Sequence, residues 1–127
     1  MTRTATPLGG PLENDITVET TVGLTAEEDV RLGPTTLLHL QIDNTLSAGV
    51  KSWVKLFDSL SVTPGTDKPD IILPVPAVGT NPATGLLEMF TNLRFSKGLS
   101  YFASKEDGNE ATAAPDANLA LRIITNS

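Results

Sequence analysis

Between residues 51 and 102 the chain is cut into short apolar runs by turn-forming residues. It reads K-S-W-V-K-L-F-D, then S-V-T-P-G-T-D-K-P, then D-I-I-L-P-V-P-A-V-G-T, and closes with L-R-F-S-K-G-L-S-Y-F. Runs of this length, separated by Gly, Pro, Asp and Thr, predict antiparallel strands joined by tight connections. The stretch also holds the only Trp, the only Tyr and all four Phe of the chain. Aromatic side chains bury the most area per residue, so the core is expected here.

Composition agrees with a loop-rich β protein. The chain has 127 residues, enough for one domain, and only 39% of them are hydrophobic. Thr, Gly and Pro fill much of the rest, which argues against a helical bundle. Cys is absent, so there is no disulfide and no thiolate chemistry. No secretory leader pattern and no long apolar run is seen, so the expectation is a soluble protein made in a cytoplasm. The net charge of −6 is unevenly placed. Residues 1–35 carry −4, residues 36–103 are neutral and residues 104–127 carry −2. Nucleic-acid binding needs clustered Lys and Arg, so acidic ends discourage it.

Residues 1–15 read as an extended N-terminal arm and 16–127 as a single β domain. Residues 16–22 alternate, with Ile16, Val18, Thr20 and Val22 on the face expected to be half-buried and Thr17, Glu19 and Thr21 opposite. T-A-E-E-D at 25–29 resembles a helix start, but Gly33-Pro34 follows so soon that a single turn or loop is expected. In 36–43, Leu38, Leu40 and Ile42 point one way and His39, Gln41 and Asp43 the other. The run 50–58 also fits a helical stripe; its Gly and Pro flanks and its β-branched and aromatic residues favour a strand covered on both faces. A strand over 70–75 carries Pro74 and is followed by Pro76, which suits a sheet edge or strand end. Residues 86–90 read as a short strand or a helical turn. The runs 93–95 and 99–103 flank a kink or bulge at Gly98. Residues 104–115 read as an exposed loop, and 118–125 as the closing strand. Seven to eight strands predict an antiparallel β-sandwich or a jelly-roll-like barrel.

No chemistry-bearing constellation is complete. His39 is the only histidine, so any triad or His-based metal site would rest on it. An exposed strand residue is the expected reading, with a weak polar cluster of Gln41 and Asp43 on the same face. Asp58, Asp67 and Asp70 would suit Ca²⁺ if gathered, but their spacing matches no calcium loop. Turn Asp residues that bond backbone amides are the simpler reading. Glu27, Glu28 and Asp29 read as a solvated face rather than an acid/base set. P-G-T-D-K-P lacks the Lys-Ser/Thr of a phosphate loop. Trp53 and Tyr101 are too few for a stacking platform, and core packing is expected of them. Lys51 and Lys55 share strand parity and would meet either solvent or an acidic partner. The expectation is no catalytic, metal or cofactor site.

Four pieces recur in order: V-K-L-F-D at 54–58, V-T-P-G-T-D-K-P at 62–69, I-I-L-P-V-P-A at 71–77 and L-R-F-S-K-G-L-S-Y at 93–101. They resemble small β-sandwich virion proteins of tailed bacteriophages, which read Val-Lys-Leu-Tyr-Asp, Gly-Thr-x-x-Pro, Ile-Pro-x-Pro and Leu-x-Phe-x-x-Gly-Leu in the same order. The likeness spans about residues 36–103. Phe57 stands where the family often has Tyr, and 81–92 is longer and more apolar than the pattern. Some members are capsid decoration, or cement, proteins. The resemblance implies a non-enzymatic virion component on the capsid surface, made in the host cytoplasm and binding the major capsid protein. It also implies a homo-oligomer, with a homotrimer about a local three-fold axis expected, and no nucleic-acid or membrane partner. The N-terminal arm and the loops 80–85 and 104–115 are the expected contacts. Alternatives are a tail, baseplate or head-fibre component, and a carbohydrate-binding module using Trp53 or Tyr101.

Overall fold

The computed structural model describes residues 3–7, 14–45, 51–76 and 85–126. Among these residues eight strands follow one another: β1 (Arg3–Pro7), β2 (Asn14–Val22), β3 (Thr35–Asp43), β4 (Ser52–Asp58), β5 (Ile71–Val75), β6 (Leu86–Phe95), β7 (Leu99–Ser104) and β8 (Leu119–Asn126). They form two antiparallel sheets. The larger has the order β1-β2-β8-β3-β6, with β1 added at the edge of a four-stranded unit; the smaller has the order β5-β4-β7. This is the expected all-β sandwich. The segment expected as an arm, 1–15, contains β1, which lies antiparallel on β2 with Thr4 opposite Val18.

The core lies between the sheets. Leu37, Leu40, Ile42, Leu119, Leu121 and Ile123 from the large sheet meet Val54, Leu56, Val75, Leu99, Tyr101 and Ala103 from the small one. The small sheet is covered on its other face as well. There Phe57 and Phe102 stack at 5.6 Å between centroids, with Val62, Ala26 and Ala111 packed on them from the loops. This explains why 52–58 lacks clean alternation: β4 is buried on both faces, as its sequence predicts.

Three expectations of face and extent are corrected. On β3, Leu37 rather than Leu38 enters the core, because the register shifts between Leu37 and His39 against both neighbours. One extra residue moves the preceding side chains to the opposite face. On β2, Thr17 and Glu19 point inward opposite Ile123 and Leu121, while Ile16 and Val18 lie on the outer face. An irregularity between Glu19 and Val22 then returns Val22 to the core. The runs 86–90 and 93–95 are one ten-residue strand, β6, whose inward residues are Leu87, Met89, Thr91, Leu93 and Phe95. Gly98 lies in the three-residue connection that carries the chain from β6 in one sheet to β7 in the other.

Two glycines are required. Gly65 follows Pro64 with φ of +85°, which matches the positive φ that a type II turn needs at its third residue. The amide N–H of Thr66 closes that turn on the Thr63 carbonyl at 3.1 Å. At Gly98 a Cβ would sit 2.9 Å from Asp29 Oδ1 and 2.9 Å from Leu60 Cδ2, closer than packing allows.

Candidate functional site

Three loops converge at one end of the sandwich: 29–33, 58–70 and 96–98. Asp58 ties two of them together. Its Oδ1 accepts the N–H of Lys97 at 2.8 Å and that of Gly98 at 3.3 Å, and its Oδ2 accepts the Ser96 hydroxyl at 3.1 Å. Burial opposes ionisation, but these donors outweigh it and hold the Asp58 carboxyl below its ordinary range. Asp70 Oδ2 accepts the Asp58 amide at 2.7 Å, and Asp67 Oδ2 accepts the Thr63 amide at 2.7 Å. The three carboxylates do line one open cleft of about 400 Å³, with Phe57, Ser59, Ser61, Lys68 and Lys97. Each is engaged by backbone N–H groups, as the turn reading expects.

The first two of these loops each carry an exposed apolar side chain. Leu32 is 89% exposed and Leu60 54% exposed. Leu32 has φ of +59° and Asp29 has φ of +48°, both in the left-handed region that non-glycine residues rarely occupy. The turn is pinned on several sides. Leu32 donates its N–H to the Asp29 carbonyl at 3.1 Å, and Gly33 donates its own to Asp29 Oδ1 at 2.7 Å. The Asp29 amide donates to Ser100 Oγ at 2.9 Å. Held strain of this kind concentrates at binding and catalytic sites. Here it presents one leucine to solvent. The loops so held carry exposed leucines and a cleft lined by charges of both signs.

The acidic run 27–29 therefore has a structural task. Glu27 forms a β-bridge with Tyr101, the Val30 amide donates to the Leu99 carbonyl, and the Ala103 amide donates to the Gly23 carbonyl. Segment 23–30 thus covers the outer edge of β7. Glu28 Oε2 accepts the Val62 amide at 3.2 Å.

Lys55 is not on a solvated strand face; it is fully buried. Its Nζ donates to Ser104 Oγ and to the Glu110 carbonyl, both at 2.7 Å, and lies 5.2 Å from the Phe102 ring centroid. Burial pushes its pKa down, and the nearby Glu106, Glu110 and Asp107 carboxylates push back. The acidic partner of Lys55 is the chain's own loop. That loop, 105–118, is bonded internally rather than splayed open. Glu106 Oε1 accepts the Thr112 amide and hydroxyl and the Ala113 amide. Burial again opposes ionisation, yet these bonds, with one from Ser104, lower the Glu106 pKa to about 2. Lys105 pairs with Asp116, and Pro115 is buried. The expected exposed contact loop at 104–115 is in large part a cover for the small sheet.

His39, Gln41 and Asp43 lie on the outer face of the large sheet, as expected, but His39 is half-buried against Phe90 rather than exposed. The His39 ring sits 4.6 Å from that of Phe90, and its Nε2 is 3.8 Å from Glu88 Oε2. Gln41 and Asp43 line a shallow hollow of about 280 Å³ with Leu86, Ala120 and Arg122. Among the described residues, no group of three or more His, Asp or Glu side chains is arranged to hold a metal ion. Tyr101 is a core residue at 1% exposure, so it offers no face to a sugar; Trp53 is half-buried with Lys51 Nζ 5.1 Å from its ring centroid. The expected contact loop 80–85 lies outside the described residues except for Gly85.

The sequence reading missed Leu32 and Leu60 as a site. A leucine in a turn carries no sequence signal of exposure, and the convergence of 29–33 with 58–61 is made by tertiary folding. No family model, no curated protein and no solved structure matches this chain.

Proposed function

We propose that this chain is a capsid decoration protein of a tailed bacteriophage. It binds the major capsid protein from outside through the Leu32–Leu60 end and stabilises the head through many identical contacts. The observation that carries this reading is that the phage-like motifs fold together. V-K-L-F-D lies on β4, I-I-L-P-V is β5, and L-R-F-S-K-G-L-S-Y runs from β6 through the connection into β7. Among the described residues, the strands β5, β4 and β7 make up the small sheet. V-T-P-G-T-D-K-P is the loop that closes it and lines the cleft.

The physical task fits the scaffold. A sheet covered on both faces is a rigid mount, and an apolar tip with a polar rim supplies a modest contact. Repetition over a lattice converts a modest contact into firm retention. The test is to add the purified protein to phage heads that lack it and then challenge them with heat. Saturating binding across the shell, with heads that survive longer, is the expected result. Leu32→Asp and Leu60→Asp should each weaken binding at least tenfold while leaving the isolated protein folded. Binding confined to one vertex would place the protein in the tail or a fibre. Absence of binding would overturn the proposal.

A further inference from the structure

Sheet edges are natural templates for a further strand, and folded proteins guard them. Among the described residues this sandwich has four edges, and they are guarded unequally. The β7 edge is covered by segment 23–30. The β5 edge carries Pro74, which has no N–H to offer a neighbour. β1 ends on Pro7. β6 is ten residues long, L-L-E-M-F-T-N-L-R-F, with no Pro and no Lys. It pairs with β3 on one side and has no strand on the other among the described residues.

The core is also left open along β6. Its inward side chains Leu87, Met89, Thr91 and Leu93 are only half-buried, in contrast to the closed core of β3 and β8. On its outer face Phe90 is 79% and Leu86 42% exposed. An edge with no guard among the described residues and with uncovered apolar side chains is fitted to receive a strand.

We infer that the occupant is β6 of a second copy of this chain, paired antiparallel about a two-fold axis at Thr91. The charges select this register. With Thr91 facing Thr91, Glu88 of each copy faces Arg94 of the other, giving two opposite-charge cross-strand pairs by symmetry. Met89 then faces Leu93, and Leu87 faces Phe95, so the half-buried inward residues cover one another. Centring instead on Phe90 sets Glu88 against Asn92 and Arg94 against Leu86. Centring on Asn92 sets Glu88 against Ser96 and Arg94 against Phe90. Registers shifted by a single residue would oppose inward with outward side chains. The irregularity of β6 against β3 falls between Phe90 and Leu93, at the axis. Both copies carry it at the same place, so the registers on either side stay matched. The result is one continuous ten-stranded sheet with the two small sheets on it. The net charge of −6 per chain does not oppose this contact, because the exposed charges of β6 are one Glu and one Arg.

This inference does not rest on the capsid reading, and its test uses the isolated full-length protein. Sedimentation equilibrium over a micromolar concentration series should give a species of twice 13.4 kDa. Glu88→Arg and Arg94→Glu each set like charges opposite one another twice, and each should weaken dimerisation at least tenfold. Both positions are exposed, and circular dichroism checks that the fold is kept. The double variant E88R/R94E restores opposite charges and should restore the dimer. A wild-type monomer or trimer would overturn the pairing, as would single variants that dimerise normally or a double variant that stays monomeric. A trimer would instead agree with the three-fold arrangement the phage resemblance implies, and would leave the capsid proposal standing.

Discussion

Lys55→Met isolates what the buried ammonium does. Methionine keeps most of the aliphatic stem in place beneath Phe102 and removes the two hydrogen bonds at 2.7 Å to Ser104 Oγ and the Glu110 carbonyl. Bonds from a charged donor contribute about 1.5–3 kcal/mol each, so the gross loss is roughly 3–6 kcal/mol. Two effects reduce it. The ammonium no longer has to be held out of water, a saving of several kcal/mol in typical proteins. Ser104 Oγ also keeps its contacts with the Glu106 amide and the Glu110 carbonyl. A net destabilisation of about 2 kcal/mol remains, because the Glu110 carbonyl loses its charged donor in a partly buried site. For a chain of this length, with an unfolding entropy of about 2.1 cal/mol/K per residue, that lowers Tm by roughly 7 °C. Lys55→Ala should cost about 2 kcal/mol more through the lost burial of the stem. Urea denaturation gives the free energies. Amide hydrogen exchange gives the location: faster exchange in 105–118 with little change in β3 and β8. A Lys55→Met protein as stable as wild type, with exchange in 105–118 unchanged, would refute the anchoring role.

Other outcomes follow from the same geometry. The folded pKa of Glu106, about 2, lies below its ordinary value of 4.5, so its stabilisation is complete above 4.5 and lost as pH falls towards 2. Acid titration of Glu106→Gln should therefore show a shallower loss of stability across that window than wild type does. Gly98→Ala forces a methyl against Asp29 Oδ1 and Leu60 Cδ2 and should cost about 1–3 kcal/mol, read by thermal unfolding. Gly65→Ala places a side chain at φ of +85° and should cost about 1–2 kcal/mol, read by thermal unfolding. Acrylamide should quench Trp53 to an intermediate extent, since that residue is half-buried beside Lys51; quenching like free tryptophan would contradict the burial of β4.

The fold class was legible because turns punctuate the chain wherever strands end: Pro64-Gly65, Lys68-Pro69 and Gly98 all fall between strands. Doubly covered β4 was legible from its mixed pattern. The faces of β2 and β3 were not, because both strands contain an irregularity, at 19–22 and at Leu38, that shifts side chains to the other face without changing the apparent alternation. The task of Lys55 was hidden for a related reason. Its parity with Lys51 suggested solvent, but the loop that buries it returns from a distance of 55 residues. Glu27–Asp29 resembled a solvated acidic patch, and only pairing with β7 shows that it seals an edge. The apolar tip at Leu32 and Leu60 depends on a strained turn and on three loops meeting, and neither is written in local sequence. The edge of β6 was half visible: the outward set Leu86, Glu88, Phe90, Asn92 and Arg94 alternates clearly once the strand is read as continuous.

The most direct test of the proposed capsid reading is whether this protein is present in purified virions, and in what copy number against the major capsid protein, by quantitative mass spectrometry. The decoration reading predicts a copy number of the same order as that of the major capsid protein, lowered together with head stability in virions carrying Leu32→Asp. A handful of copies per particle, or none, would contradict it.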